Sequence, residues 1–192
     1  MAGAMVTSVV IVGVGGQGVM TLARWLGRAA MAAGYDVKIA EVHGLSQRGG
    51  SVEVHVRLGD RVYGPVVSEG DADYVVAMEA LEALRAFRYI GGNTVLVVNK
   101  RVIQIPGRYL DPEQVYKALQ TYKNLRLVPA FDIAMKIGDP IYENSVLLGY
   151  LAKLLGVDER VDWLDERNRR AFDEGRRLAS GDLQPSASSM AS

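Results

Sequence analysis

The chain has 192 residues, of which 49% are hydrophobic and 23% are charged, the balance of an ordinary globular protein. The 22 basic residues equal the 22 acidic residues, so the net charge of zero gives no general attraction for nucleic acid or for an anionic membrane. Because the sequence contains no cysteine, disulfides, cysteine-ligated zinc sites and cysteine-ligated iron–sulfur clusters are excluded in this chain.

The chain also carries no recognisable targeting or membrane signal. No apolar stretch approaches the roughly 20 residues that a membrane span needs. The segment Met1–Met5 has none of the basic residues that begin a signal peptide. We therefore expect a soluble, cytoplasmic protein that binds neither a membrane nor nucleic acid.

The first part of the chain predicts a Rossmann-like β-loop-α-β unit. Residues 8–12 are a short β-branched run, typical of a buried strand, and a glycine-rich turn leads from it to a helix over residues 19–33. A second strand is predicted over residues 37–42. We expect the two strands to pair in parallel through a right-handed crossover.

A β-hairpin is predicted next. Apolar and polar residues alternate from 52 to 58, which is the period of a strand with two different faces. The dipeptide Gly59-Asp60 is typical of a tight turn, so residues 61–67 are expected to return antiparallel. His55, on the polar face, is interpreted as a surface or interface residue.

The remainder alternates between strands and helices. Strands are predicted over 74–77, 94–98 and 125–128, and helices over 79–89, 112–122, 131–137 and 144–155. Asp111 and Asn144 are interpreted as helix N-caps. The predicted fold is a three-layer α/β/α sandwich with a mixed, mostly parallel sheet that contains one antiparallel hairpin. We divide the chain into this α/β domain (1–157), an amphipathic C-terminal helix that packs on the body or on a partner (158–179), and a disordered tail (180–192).

The first candidate site is the glycine-rich turn after the first strand. It has the G-x-G-x-x-G spacing, with candidate ligand contacts at Gly13, Gly15, Gly16, Gln17 and Gly18. Such a turn lets a phosphate approach the N–H groups at a helix N-terminus. Glu41 stands about where an acid that binds a ribose would lie. The alternative is a structural turn that lies close to a ligand or a subunit contact.

The second candidate site follows the second predicted strand. It gathers polar groups and glycines in one run, with candidate contacts at His43, Ser46, Gln47, Arg48, Gly49 and Gly50. Arg48 could hold a phosphate or a carboxylate with two hydrogen bonds. The alternative is a polar surface loop.

Neither site predicts catalysis by this chain alone. A Ser/His/Asp hydrolase needs a third group that orients the imidazole, and the sequence shows none beside His43 and Ser46. We therefore predict no catalytic residue and no metal ligand. Glu79, after another predicted strand, is favoured as a helix cap over a ligand contact.

These segments together resemble the beta subunit of indolepyruvate:ferredoxin oxidoreductase and, more distantly, the gamma subunits of the pyruvate and 2-oxoglutarate enzymes. The resemblance rests on three segments between about Val9 and Leu155: Gly13–Gly18, Glu41–Ser51 and Gly70–Arg85. The family usually has an Ala-Asn pair at the start of the late helix, where this chain has Glu143-Asn144.

The resemblance implies a subunit without cofactors of its own. In such enzymes an aryl 2-oxoacid is decarboxylated oxidatively, the acyl group passes to coenzyme A, and ferredoxin takes the electrons. Thiamine diphosphate, magnesium and iron–sulfur clusters would reside in a large alpha subunit. This chain would pack on that subunit and shape the coenzyme A or substrate entrance. Apart from the resemblance, an apolar interface left without its partner makes a homodimer of the isolated chain a possible outcome.

Two alternatives stay open on the sequence. One is an independent NAD(P)- or FAD-binding oxidoreductase, suggested by the first glycine motif. The other is a non-enzymatic assembly or regulatory module that uses the same domain.

Overall fold

The computed structural model describes residues 5–43, 50–104, 107, 109–158 and 160–183. Its strands are β1 (Val6–Val14), β2 (Asp36–His43), β3 (Ser51–Gly59), β4 (Ala72–Ala77), β5 (Ile90–Asn99) and β6 (Leu125–Val128). Its helices are α1 (Val19–Ala32), α2 (Ala80–Arg85), α3 (Pro112–Leu119), α4 (Ala130–Ile137), α5 (Glu143–Leu155) and α6 (Glu166–Leu183), with 3₁₀ turns at Phe87–Tyr89 and Pro140–Tyr142.

All strands of the described residues belong to one mixed sheet, in the order β2-β3-β1-β4-β5-β6. The pairs β1–β4, β4–β5 and β5–β6 are parallel, and β3 is antiparallel to both of its neighbours. Because only β3 runs the opposite way, the carboxyl ends of the other five strands meet the start of β3 at one edge. This carboxyl edge is where α/β sheets usually bind ligands.

Helices cover both faces of the sheet, which confirms the predicted three-layer α/β/α fold. On one face, α1, α4, α5 and α6 bury the apolar residues of β1 and β3, including Ile11 and Val54. On the other face, α2 and α3 cover Val10, Val75 and Leu96. The alternation predicted for residues 52–58 agrees with Val54, Val56 and Leu58 lying in the first core, and the continuous apolar run of β1 supplies side chains to both cores.

The predicted pairing of the first two strands is wrong. β1 and β2 run in the same direction, but β3 lies between them and pairs with both. The antiparallel hairpin of the sheet is consequently β2–β3. The local β-loop-α-β pattern predicts direction correctly, but it carries no information about a third strand inserted between the first two.

The predicted return strand over residues 61–67 is also wrong. β1 pairs with β3 along its whole length, from Val6 with Gly59 to Val14 with Ser51, and β2 occupies the other edge of β3. The segment 61–67 therefore has no free strand edge to join. It is held by side chains instead: Asp36 accepts a hydrogen bond from the Val62 N–H, at 2.8 Å.

His55 is buried under this segment, contrary to the predicted surface position. Its side chain is 1% exposed, and its ring meets Tyr89 edge-on with centroids 5.2 Å apart. Nδ1 accepts a hydrogen bond from the Val67 N–H at 3.0 Å, so the neutral ring carries its proton on Nε2, 3.1 Å from Glu53 Oε1. Burial raises the pKa of Glu53, but hydrogen bonds from His55, Tyr89 and Arg88 outweigh it and leave that pKa lowered.

Replacing His55 with phenylalanine tests this network. An aromatic ring is kept, but the buried Val67 N–H loses its acceptor, and Glu53 Oε1 keeps only the Tyr89 hydroxyl as a donor. We expect the free energy of unfolding to fall by about 2–3 kcal/mol, measured by urea denaturation. Tyr63→Phe, on a side chain of the same segment that is 83% exposed, is the control. An equal, small effect of both substitutions would contradict the buried network.

The C-terminal helix packs on the body of the domain, mainly against α5. It begins at Glu166, later than the predicted start of 158, because Asp165 caps it through the Asn168 N–H at 2.9 Å. It continues to Leu183, so residues 180–183 are helical and not part of a tail; the rest of the predicted tail lies outside the described residues.

Two glycines allow α5 and α6 to cross in backbone contact. A Cβ at Gly149 would overlap the Phe172 carbonyl oxygen, and a Cβ at Gly175 would overlap that of Val146. Polar contacts flank the crossing: Ser145 Oγ donates to Asn168 at 2.6 Å, and the Tyr150 hydroxyl donates to Asp182. Burial, with this carboxylate, raises the pKa of Tyr150. The crossing thus joins α6 to the core by close contact of two backbones.

Candidate functional site

The glycine-rich turn lies at the carboxyl edge, between β1 and α1, as predicted. Gly16 and Gly18 have φ of 96° and 80°, in the left-handed region that favours glycine. A Cβ at Gly13 would lie 2.8 Å from Val19 Cγ2 and 3.1 Å from Met78 Cβ. Glycine is therefore required here by backbone conformation and by close packing of the turn.

Gln17 serves the turn itself. Its Oε1 accepts from the Val14 N–H at 2.7 Å, and its Nε2 donates to the Met78 carbonyl at 3.3 Å. The amide thus ties the turn to the end of β4, the next strand in the sheet. The sequence predicted a ligand contact at Gln17; the structure shows that both ends of its amide are already engaged by backbone.

Asn144 supports the same turn from α5. Its Nδ2 donates to the carbonyl oxygens of Gln17 at 3.3 Å and of Gly18 at 3.4 Å. The predicted role as an N-cap is wrong, since α5 already begins at Glu143 and Tyr142 is its N-cap. Sequence reasoning missed this contact because the partners are 127 and 126 positions apart.

The two predicted motifs meet at the carboxyl edge. The Gly15 N–H donates to the Gly50 carbonyl at 3.1 Å, which joins the first glycine turn to the end of the second motif. The backbone of His43 ends β2 opposite Val52. Ser46, Gln47, Arg48 and Gly49 lie outside the described residues.

A buried polar cluster that the sequence did not predict lies beside the turn. Asn99 is fully buried and donates to Glu143 at 2.6 Å and to the Met78 carbonyl at 3.2 Å. Arg101 forms an ion pair with the same Glu143 carboxylate and stacks on Phe131, with its guanidinium carbon 4.5 Å from the ring centroid. Burial raises the pKa of Glu143, and Arg101 opposes that rise. The cluster therefore places the Arg101 guanidinium, paired with the Glu143 carboxylate, at the carboxyl edge of the sheet.

Glu79 is a helix cap, as favoured from the sequence. Its carboxylate accepts from the Glu82 N–H at 2.7 Å and from the Ile103 N–H at 3.3 Å. The side chain is fully buried, and this burial raises its pKa despite the two N–H donors. Because the carboxylate accepts from a backbone N–H of α2 and from one after β5, it joins these two parts of the chain.

A cavity of about 710 Å³ opens beside the glycine turn. Its walls combine backbone of the turn, the polar cluster and aromatic side chains, including Gly16, Gly18, Trp25, Arg101, Tyr142 and Asn144. The N-cap of α1 is Gly18, which has no side chain to accept from the first N–H groups of the helix. An uncapped helix end offers N–H groups to an anion, so the cavity suits a ligand with an anionic group and a planar or apolar part.

The topology argues against a dinucleotide site. In the dinucleotide-binding fold, the ribose acid lies at the end of the strand next to the one that carries the glycine turn. Here β3 separates β1 from β2, which puts Glu41 two strand spacings, roughly 10 Å, from β1. Glu41 therefore does not lie beside the glycine turn, where an acid would bind the ribose of NAD.

Two further features are absent from the described residues, a metal-ligand cluster and a membrane-spanning helix. Within them, no three His, Cys, Asp or Glu side chains are grouped so as to hold a metal ion. None of the helices in the described part of the chain is long and apolar enough to cross a membrane.

The chain matches one known protein family over most of its length. Residues 8–178 match the model of the family described as pyruvate ferredoxin/flavodoxin oxidoreductase. The match extends past Leu155, where the resemblance recognised in the sequence ended, and includes most of α6.

Curated relatives are similar over most of their length. The indolepyruvate oxidoreductase subunit IorB of Archaeoglobus fulgidus is 39% identical over 173 residues, and the match covers 86% of this chain and 85% of that protein. The subunit of the same name from Thermococcus kodakarensis is 42% identical over 164 residues, and the match covers 78% of each chain.

Solved structures share the fold at lower identity. The keto/oxoacid ferredoxin oxidoreductase gamma subunit of Geobacter sulfurreducens has a TM-score of 0.68 and 22% identity, covering 93% of this chain and 98% of that one. The 2-oxoglutarate:ferredoxin oxidoreductase of Magnetococcus marinus, solved with 2-oxoglutarate, coenzyme A and succinyl-CoA bound, has a TM-score of 0.69 and 19% identity. This chain covers 92% of its own length but only 31% of that larger chain. From the match over residues 8–178 and the relatives at 39–42% identity, the chain belongs to the pyruvate ferredoxin/flavodoxin oxidoreductase family.

Proposed function

We propose that this chain is the small subunit of a cytoplasmic 2-oxoacid:ferredoxin oxidoreductase that acts on indolepyruvate or a similar aryl 2-oxoacid. Three observations support the proposal: the family match, the curated relatives named as indolepyruvate oxidoreductase subunits, and the fold shared with a gamma subunit. The topology that separates Glu41 from the glycine turn disfavours the independent NAD(P)- or FAD-binding alternative.

The proposed partner is a large alpha subunit that carries the cofactors. Thiamine diphosphate with magnesium would supply the decarboxylation chemistry, and iron–sulfur clusters would pass electrons to ferredoxin. This chain has no cysteine to ligate a cluster. Its own residues would therefore bind, orient and enclose reactants that the partner converts.

The proposed site on this chain is the carboxyl edge, where it would form one wall of the coenzyme A entrance. The observation that carries this role is the hydrogen bond from the Gly15 N–H to the Gly50 carbonyl, which brings the ends of both polar glycine motifs together. The adjoining cavity of about 710 Å³ has the uncapped end of α1 and the Arg101 guanidinium for an anionic group. Coenzyme A carries phosphate groups, which suit the helix end and the guanidinium. It also carries a planar adenine, which suits the aromatic side chains of the cavity.

Within that wall, the residues of this chain act by holding shape. Gln17 and Asn144 fix the glycine turn through backbone contacts, so its N–H groups keep one geometry before a ligand arrives. Glu143 and Asn99 likewise hold Arg101 at the cavity. Side chains and backbone groups that are already held in place lose little conformational entropy when a ligand binds, and this favours binding.

The experiment is a kinetic test of the assembled complex. This chain is produced with its large partner under anaerobic conditions, and indolepyruvate- and coenzyme A-dependent reduction of a viologen dye is measured. Arg48→Ala is expected to raise the KM for coenzyme A by roughly tenfold or to weaken subunit assembly, because a guanidinium that pairs with a phosphate is lost. Arg177→Ala, on a side chain that is 74% exposed on α6, is the control for loss of a positive charge.

Three results would count against the proposal. A complex that reduces the dye equally well without coenzyme A would refute the reaction. Wild-type KM, turnover and assembly in the Arg48→Ala complex would remove the second motif from the coenzyme A entrance. Tight binding of NAD(P) or FAD to the chain, measured by calorimetry, would instead support the independent oxidoreductase.

A further inference from the structure

A tryptophan of α1 forms part of the wall of the cavity beside the glycine turn. Trp25 lines this cavity together with Thr21 and with Gly18, the N-cap of the helix. Residues three and four positions apart share one face of a helix, so these three follow one line from the N-terminus of α1. Because helical side chains tilt toward the N-terminus, the Trp25 ring leans back toward the glycine turn.

The spacing along this face indicates what kind of ligand would fit. A helix rises about 1.5 Å per residue, which puts Trp25 roughly 10 Å along the axis from Gly18. The N-terminus of α1, which has no side-chain cap, offers N–H groups to an anion, whereas the tryptophan offers the face of an aromatic ring. The line therefore suits a molecule in which a few bonds separate an anionic group from a planar ring.

A second tryptophan, which does not itself line the cavity, packs on Trp25. The ring centroids of Trp25 and Trp163 are 5.8 Å apart, and the angle between the ring planes is 55°. Trp163 belongs to the connection between α5 and α6. The backbone of α1 alone leaves the Trp25 side chain a choice of staggered rotamers. The contact with the second ring restricts that choice, so it holds the first ring in the cavity wall.

Two arginines keep the second tryptophan in place. The guanidinium carbon of Arg28 lies 4.5 Å from the centroid of the Trp163 ring, a cation–π contact. Arg160 Nη1 donates to the Ala32 carbonyl at 2.9 Å, which ties the connection between α5 and α6 to the end of α1. Within the described residues, the buried Nε1 of Trp163 has no acceptor, so the residue contributes through its ring faces.

The start of α6 forms another part of the same wall. Asp165 and Asn168 both line the cavity. The hydrogen bond from the Asn168 N–H to the Asp165 carboxylate, at 2.9 Å, sets where the helix begins. The connection between α5 and α6 therefore contributes twice to the cavity, directly through its last residue, Asp165, and indirectly through the support that Trp163 gives to Trp25.

We propose that Trp25 is a specificity-determining residue, which stacks on the planar ring of a ligand whose anionic group lies at the N-terminus of α1, and that Trp163 is its positioning residue. The inference rests on the proposed function, in which this cavity adjoins the coenzyme A entrance. Coenzyme A and an aryl 2-oxoacid both combine a ring with an anionic group. The cavity offers two groups for anions, the helix end and Arg101, which favours the phosphates and adenine of coenzyme A over a single carboxylate.

The kinetics of the assembled complex test the stacking. Trp25→Leu keeps an apolar side chain without an aromatic face. It should raise the KM for coenzyme A by roughly tenfold while kcat changes little, because the stacking of a base on an aromatic ring is lost. Trp25→Phe keeps a ring and should stay within about threefold of the wild-type KM. Phe87→Leu, on a side chain that is 63% exposed on the α2 side of the sheet, is the control for loss of an aromatic ring.

The same kinetics test the positioning role and identify the ring that is bound. Trp163→Ala leaves Trp25 present but unsupported and should raise the same KM by roughly threefold to fivefold. Trp163→Phe, which restores a ring, should recover most of that loss. The KM for indolepyruvate is measured in each variant. A rise confined to coenzyme A assigns the stacked ring to adenine, and a rise confined to indolepyruvate assigns it to the aryl group.

A second readout does not depend on activity. Trp25 and Trp163 are the two tryptophans of this chain, so the tryptophan fluorescence of the Trp163→Phe chain comes from Trp25 alone. Adenosine 3′,5′-bisphosphate, the nucleotide half of coenzyme A, should quench this fluorescence saturably. The other half, 4′-phosphopantetheine, has a phosphate but no ring and should not. Phenylpyruvate, an aryl 2-oxoacid without an indole, is the probe for the second source of a ring.

The outcomes separate this inference from the proposed function. If the wild-type complex depends on coenzyme A but Trp25→Leu keeps both KM values, or changes them no more than Phe87→Leu does, the role of Trp25 is overturned and the proposed function stands. These kinetics decide even if the isolated chain shows no quenching, because the wall from the partner is then absent. A wild-type complex that ignores coenzyme A overturns the proposed function, and the quenching then decides the role of Trp25 by itself.

Discussion

Alanine at Gly149 should destabilise this protein strongly, although the substitution adds only one methyl group. The added Cβ would lie 2.8 Å from the carbonyl carbon of Phe172 and overlap its oxygen, both of which are backbone atoms of α6. Neither atom can rotate away, so the two helices must separate along their contact. We expect a loss of about 3 kcal/mol, at the upper end for overpacking, and a fall in Tm of roughly 6–12 °C for a chain of this size. Calorimetry or circular dichroism of the purified chain measures both.

Gly181→Ala is the matched control for this prediction. Gly181 lies on the same α6, and a Cβ there meets no atom within 4 Å. Because alanine favours a helix over glycine, this variant should be neutral or more stable by about 0.5–1 kcal/mol. Gly175→Ala, at the reciprocal position, should behave like Gly149→Ala. Equal stability of Gly149→Ala and Gly181→Ala would show that α5 and α6 do not cross in backbone contact.

Alanine at Gly18 should have the largest effect on the proposed activity. Gly18 has φ of 80°, where a Cβ costs about 1–2 kcal/mol. The same Cβ would overlap Asn144 Nδ2, which must leave its two carbonyl partners in the turn. We expect the KM for coenzyme A of the assembled complex to rise by roughly tenfold or more, because the turn loses the geometry in which it meets a ligand.

Gly34→Ala separates backbone strain from the loss of the Asn144 contact. Gly34 has φ of 97° and lies after α1 at the opposite edge of the sheet, where a Cβ meets no atom within 4 Å. It should lose similar stability and keep the wild-type KM. Asn144→Ala should reproduce part of the effect of Gly18→Ala on the KM. If Gly18→Ala and Gly34→Ala have the same kinetics, the glycine turn does not contact coenzyme A.

Local sequence features determined the elements and the edge at which the candidate site lies. The alternation in residues 52–58 predicted β3, and Asp111 caps α3 as expected, accepting from the Glu113 N–H at 3.0 Å. These features depend on neighbours within a few residues, through strand period and capping. Both polar motifs directly follow predicted strands, and the carboxyl ends of such strands lie at the same edge of a sheet. The sequence therefore also predicted that Gly13–Gly18 would lie near the second motif.

Only the tertiary structure decided which distant residues share a contact. The insertion of β3 between β1 and β2 removed the edge that residues 61–67 needed and buried His55. Asn144 became a support of the glycine turn, and Gly149 with Gly175 set the distance between α5 and α6. Each of these depends on strand order or helix crossing, and the period of a sequence specifies a buried face without specifying the element that covers it.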